Sequence, residues 1–132
     1  MAKVKEVKPL KIPKDILDKV LYLDCRDEQN VRRLKKSLMK LPIIKSSDDL
    51  TTDALEAIIK RIERKYMLHL SYIMRSVVDL QDHYSGMVKT DASGKWLKTI
   101  YGQTIWEVLA KTVFYMVFYI EDERRKMRNR KG

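Results

Sequence analysis

"TDALEAIIKRIERKYMLHLSYIMRSVVDLQDHYSG", residues 52–86, is the stretch on which the fold turns. Leu55, Ile58, Ile59, Ile62, Tyr66, Leu70, Ile73, Val77, Leu80 and Tyr84 form a series whose steps, the adjacent isoleucines aside, are three or four residues. Residues at those spacings share one face of an α-helix. Asp53 with Glu56 three positions on matches a capping box, and Ser85-Gly86 supplies a stop. The pattern predicts one helix from Asp53 to Tyr84, about 45 Å long at 1.5 Å per residue. A helix of that length is the backbone of a bundle or a dimer seam.

Working outward from it, Pro9 and Pro13 interrupt any helix near the start, which predicts an irregular tail over residues 1–12. Pro13 suits the first turn of a helix, and Ile16, Leu17, Val20 and Leu21 of "PKDILDKVLYLDC" share a face. "RDEQN" reads as a break. Val31, Leu34, Leu38 and Leu41 then form a second stripe, ended by Pro42, before a "KSSDD" loop. On the far side, "MVKTDASGK" reads as a loop. Val88-Lys89 and Lys95-Trp96 are placed to pair as a short hairpin around "TDASG". Against the hairpin, Trp96, Leu97, Ile100, Tyr101, Ile105, Val108 and Leu109 keep helical spacing, and helix on both sides of a kink at Gly102 is the expectation. Thr104 and Glu107 form a T-x-x-E cap for the last helix, from about Ile105 to Met127.

Four glycines and three prolines are few for a fold built of tight turns. The expected architecture is therefore all-α: a single-domain bundle of four to five helices with one long central helix, residues 13–127, between basic tails at 1–12 and 128–132. An apolar share of 45% with 35% charged residues fits a globular chain and not a disordered one.

The charge is distributed unevenly. Residues 1–14 carry five lysines against one glutamate, residues 124–132 carry six bases and no acid, and the intervening body is neutral, so the whole +10 sits at the ends. Segregation of this kind points to polyanionic partners. Acids are also absent from Asn30 to Ser47, where Arg32, Arg33, Lys35, Lys36 and Lys40 line one helix face. Arg61, Arg64 and Lys65 make a second cluster, and Arg124, Arg125, Lys126, Arg128, Arg130 and Lys131 a third. Ordinary solvated faces, i,i+4 pairs such as Glu56–Lys60, Glu121–Arg125 and Asp122–Lys126, and the helix dipole account for part of this charge. They do not account for six cations in the last nine residues.

Catalytic classes are poorly supplied. His69 and His83 are the only histidines, and Asp79, Asp82 and His83 alone do not make a metal site without ligands from another element. "ASGKW" lacks the upstream glycine and the following Ser/Thr of a phosphate-cradling loop. Cys25, the single cysteine, sits beside Arg26, which would lower its thiol pKa, but has no local histidine and reads as a structural thiol in a reducing compartment. No enzyme and no cofactor are expected. Tyr66, Tyr72, Tyr84, Trp96, Tyr101 and Trp106 could stack on bases, yet they fall among aliphatic residues and read as core.

Val113 through Ile120 is apolar all the way round, which makes Phe114, Tyr115, Phe118 and Tyr119 candidates for a protein or homo-oligomer interface. Those eight residues fall short of the roughly 20 of a spanning helix. No secretory signal is visible in "MAKVKEVKPLKIPK", so a cytoplasmic protein, nuclear in a eukaryote, is expected. The function expected is a small non-catalytic nucleic-acid-associated protein, a subunit of a nucleoprotein assembly that contacts phosphates of DNA or RNA without reading sequence. The alternative is an interaction or inhibitor module whose basic tails bind an acidic protein; attachment to anionic lipid through the same tails is a third option.

Overall fold

The computed structural model describes residues 12–78, 81–90 and 94–131. Pro13 opens α1 (Lys14–Leu21), its carbonyl accepting from the N–H groups of Ile16 and Leu17. Asp27 caps α2 (Glu28–Met39) by accepting from the Gln29 N–H at 2.9 Å. A 3₁₀ turn at Ser47–Leu50 leads into α3 (Thr52–Tyr66), where the Thr51 hydroxyl accepts from the Ala54 N–H at 3.2 Å. Three strands follow, β1 (Leu68–Val78), β2 (Gln81–Thr90) and β3 (Trp96–Gly102), and then α4 (Ile105–Lys131). The strands form one antiparallel sheet in the order β1-β2-β3.

The all-α helical bundle expected from the sequence is therefore corrected to a mixed α/β fold. The predicted helix from Asp53 to Tyr84 is two elements, and Met67 is where it divides. Its backbone is left-handed, φ 55° and ψ 39°, and its N–H closes the helix onto the Glu63 carbonyl. Glycine usually takes this position, because a Cβ crowds the next carbonyl. Beyond Met67 the three-or-four spacing persists for a reason unrelated to helices. Leu68 and Leu70 alternate as strand residues do, but a bulge between Ser71 and Met74 inserts one extra residue. Ile73 thereby lands three places after Leu70 on the same face, a step that imitates a helical turn.

The same correction applies to the segment before Gly102. Residues 96–102 are a strand, and the competing hairpin reading is the one realised: Lys89 pairs with Trp96, and the Thr90 N–H donates to the Lys95 carbonyl at 3.0 Å. Gly94, at φ 62°, makes the turn back into β3. A second bulge between the Val88–Lys98 and Lys89–Trp96 pairs makes Trp96, Leu97 and Ile100 look helical in sequence.

Helix α4 is the hub, packing against α1, α2, α3 and every strand. Leu34, Leu55, Ile58, Leu68, Val88, Ile100, Val108, Val113 and Met116 are fully or almost fully buried around it. Two ties fix its polarity. The Trp106 indole N–H donates to the Leu50 carbonyl at 2.6 Å, just before α3 begins, and Arg124 donates to the Tyr66 hydroxyl at 3.0 Å, where α3 ends. Helices α3 and α4 therefore lie side by side pointing the same way. Ile12, assigned to the tail by the sequence reading, is 5% exposed and belongs to the core, while residues 1–11 lie outside the described residues. The C-terminal tail boundary at 128 falls inside α4.

Met67 is exposed, so Met67→Gly sacrifices little packing while relieving the left-handed strain. Urea unfolding should show a gain of about 0.5–1 kcal/mol at unchanged m. Met67→Ile, whose branched side chain tolerates this conformation poorly, should lose at least as much. A loss for the glycine variant would contradict the left-handed turn.

Candidate nucleic-acid interface

The start of α4 is built around a buried ion pair. Lys111 Nζ lies 2.6 Å from Glu107 Oε2 and donates to the Leu23 carbonyl at 2.7 Å; both side chains are 3% exposed. The other Glu107 oxygen accepts from the Gln103 N–H at 2.9 Å, while the Glu107 N–H donates to the Thr104 hydroxyl at 3.1 Å. This is the expected T-x-x-E cap, with the acid serving a lysine as well. Gly102 makes room for it: a Cβ there would stand 3.0 Å from the Glu107 Cβ. Cys25 sits against this pair. Burial, then the Glu107 charge, pushes its thiol up from 9.0 to about 11, opposite to the depression expected from Arg26. Arg26 is turned to Asp24 instead, whose carboxyl it holds down at about 2. Cys25 is accordingly no nucleophile.

The other polar candidates are equally plain. His69 is half exposed, with Nδ1 3.0 Å from Glu63 Oε2. Asp79 lies outside the described residues, so its pairing with His83 stays untouched. No group of three possible metal ligands occurs among the described residues.

Of the three cation clusters read from the sequence, the structure keeps one apart and brings the other two together. Arg32, Arg33, Lys35, Lys36 and Lys40 are exposed along α2. Lys35 lies over the Trp106 ring at 5.7 Å, at the amino end of α4, and Arg33 bonds Asn30. The side chains of Arg32, Lys36 and Lys40 have no ion-pair or hydrogen-bond partner among the described residues. The clusters on α3 and α4 instead meet each other, because those helices run parallel and the end of α3 lies beside Arg124. Tyr66 is the junction, with Lys65 5.4 Å and Arg124 5.5 Å from its ring centroid. Arg61 and Arg64 are exposed on the same last turns of α3, and Arg64 reaches back to the Lys60 carbonyl. Acids neutralise part of the α4 cluster: Glu121 pairs with Arg124 at 3.4 Å, and Asp122 with Arg125 at 3.8 Å and Lys126 at 3.3 Å. Arg128 is exposed; Arg130 and Lys131 lie in the helix, their side chains outside the described residues.

The aromatic interface candidates divide midway along α4. Phe114 and Tyr115 are core residues, 4% and 8% exposed, whereas Phe118 and Tyr119 are half-buried. Burial raises the hydroxyl pKa of both tyrosines, that of Tyr115 to about 12, and their rings stack at 6.4 Å.

Sequence reasoning missed a site at the β3 edge. Residues facing α4 include Leu70, Ile73, Gly86, Val88 and Ile100; the opposite face carries Met74, Thr99 and Tyr101, and the β3 bulge turns Trp96 onto it as well. The Trp96 indole N–H donates to the Thr99 hydroxyl at 3.0 Å. Tyr22, directly after α1, approaches the same strand with Lys98 Nζ 5.7 Å above its ring. Together with Leu21 and Ile100 they line a hollow of about 270 Å³ along the edge of the strand. Tyr22, Trp96 and Tyr101 are 71%, 57% and 64% exposed, so these rings are not core. Nothing in the sequence links Tyr22 to this strand. Comparison with family models, with curated proteins and with solved structures gave no match.

Lys111→Met leaves the Glu107 carboxylate buried and uncompensated, so chemical denaturation should show a loss of about 3–5 kcal/mol. Adding Glu107→Leu should recover much of it. The thiol gives a pH signature. A folded pKa raised above the unfolded one stabilises fully below about pH 9, and that contribution disappears as pH rises through 11. Melting temperatures followed from pH 8 to 11 should fall more steeply for the wild type than for Cys25→Ser; equal slopes would remove the thiol from the account.

Proposed function

We propose that this protein is a non-catalytic nucleic-acid-binding protein that contacts phosphates without reading sequence. The observation that carries the reading is the α2 face, where the Arg32, Lys36 and Lys40 side chains stand exposed with no acid or other partner among the described residues. Cations held in pairs add little to the binding of a polyanion, because the pair must first be broken. Unpaired ones are ready to replace the counterions of a phosphate backbone, and the release of those ions drives association. The joined ends of α3 and α4, around Tyr66, add Arg61, Arg64, Lys65 and Arg128 as a second contact area. The two areas lie toward opposite ends of α4, a spread suited to an extended polymer. No helix among the described residues is long and apolar enough to cross a membrane.

A protein contact is favoured by a separate observation. Val117, Phe118, Tyr119 and Ile120 remain half-buried after the chain has folded. An apolar helix surface left this way suits a subunit of a larger nucleoprotein assembly.

Affinity for nucleic acid, measured across a salt series, should fall linearly on logarithmic axes. Removing three phosphate contacts with Arg32→Ala, Lys36→Ala and Lys40→Ala should flatten that slope by about 2–3 and leave the melting temperature unchanged. A wild-type slope near zero would overturn the proposal. An unchanged slope in the triple variant would move the contacts away from α2.

A further inference from the structure

We propose that the hollow at the β3 edge is a stacking site for an unpaired nucleobase, so that the preferred ligand is single-stranded. The inference rests on the nucleic-acid reading above and names its substrate class. Three aromatic rings, each more than half exposed, converge there from two separate elements. An edge strand is ordinarily guarded by charge, since its free backbone groups invite other chains. This edge carries Trp96, Thr99 and Tyr101 beside the single charge of Lys98.

The details match what a base demands. The Trp96 indole N–H is occupied by the Thr99 hydroxyl, which steadies the ring and leaves its face open. At about 270 Å³ the hollow falls just below the range of about 300–1,000 Å³ that takes drug-sized ligands, so it suits one planar ring system. Leu21 and Ile100, which also line it, are buried and apolar. Among the described residues none that lines it is acidic, and Lys98 stands at the rim over Tyr22, where the phosphate of a stacked nucleotide would pass. A charged backbone beside a flat apolar base is the chemistry that cation and aromatic together recognise. A duplex cannot use it, because paired bases hide their faces in the helical stack.

The test uses the full chain, labelled oligo-dT and oligo-rU, and a mixed-sequence duplex of the same length, followed by fluorescence anisotropy at fixed salt. Trp96→Ala with Tyr101→Ala should weaken single-strand binding about 5- to 100-fold, the range for losing one stacked base. Duplex binding, the salt slope and the melting temperature should stay as in the wild type. Equal losses for single strand and duplex, or no loss for either, would overturn the stacking site while leaving phosphate binding intact. A salt-independent wild type would overturn both. A wild-type dimer in light scattering that the double variant dissolves would assign the hollow to a second copy of this chain and sink the proposal.

Discussion

The contact among Lys111, Glu107 and the Leu23 carbonyl ties three separate parts of the chain to one point. Leu23 lies in the link between α1 and α2, while Glu107 stands in the first turn of α4 and secures the Gln103 N–H at the exit from β3. Helices and sheet are thus referenced to one buried lysine. The desolvation of two charges consumes most of what their attraction supplies, so the pair contributes little net stability while intact. Its effect is on geometry: alternative placements of α4 strand a charge in the core. Gly102 is part of the same constraint, since a side chain there would press on Glu107.

From that fixed helix the surface chemistry follows. Because α4 runs parallel to α3, the two basic helix ends are brought together at Tyr66, although 58 residues separate Tyr66 from Arg124. Because α1 is held against α4, Tyr22 is delivered to the edge of β3. The α2 cations, packed near the opposite end of α4, stay apart from both. What reads in sequence as a single basic character is in space two cationic areas and an aromatic hollow, each set by how one long helix is held.

The legible parts of the fold were those where one local rule governed one element. Pro13 and Thr104 mark helix starts as read, whereas the cap of α3 is Thr51 and not the Asp53 expected, and Asp27, read only as part of a break, caps α2. The aromatic helix was likewise readable from Ile105 onward. The sheet was not, and the reason lies in two bulges. Each inserts one residue, so that apolar side chains on a single strand face fall three apart, as in Leu70 and Ile73. Met67, which divides helix from strand, carries no mark of its role; a glycine there would have revealed it. For the site, the cationic residues were visible as types but not as neighbours, and Trp96 and Tyr101 were assigned to a core from a spacing that belonged to a strand.

Helix α4 touches every other helix and strand described, yet it is the last of them to leave the ribosome. Until it emerges, the inner faces of α1, α2, α3 and the sheet have no common partner, and Leu34, Ile59, Val88 and Ile100 remain open to water or to other chains. Contacts that close such long loops form late and set the pace of folding. Before α4 emerges, the elements ahead of it present uncovered apolar surfaces, a state prone to misassociation. A protein organised this way depends on shelter during translation more than its finished stability suggests.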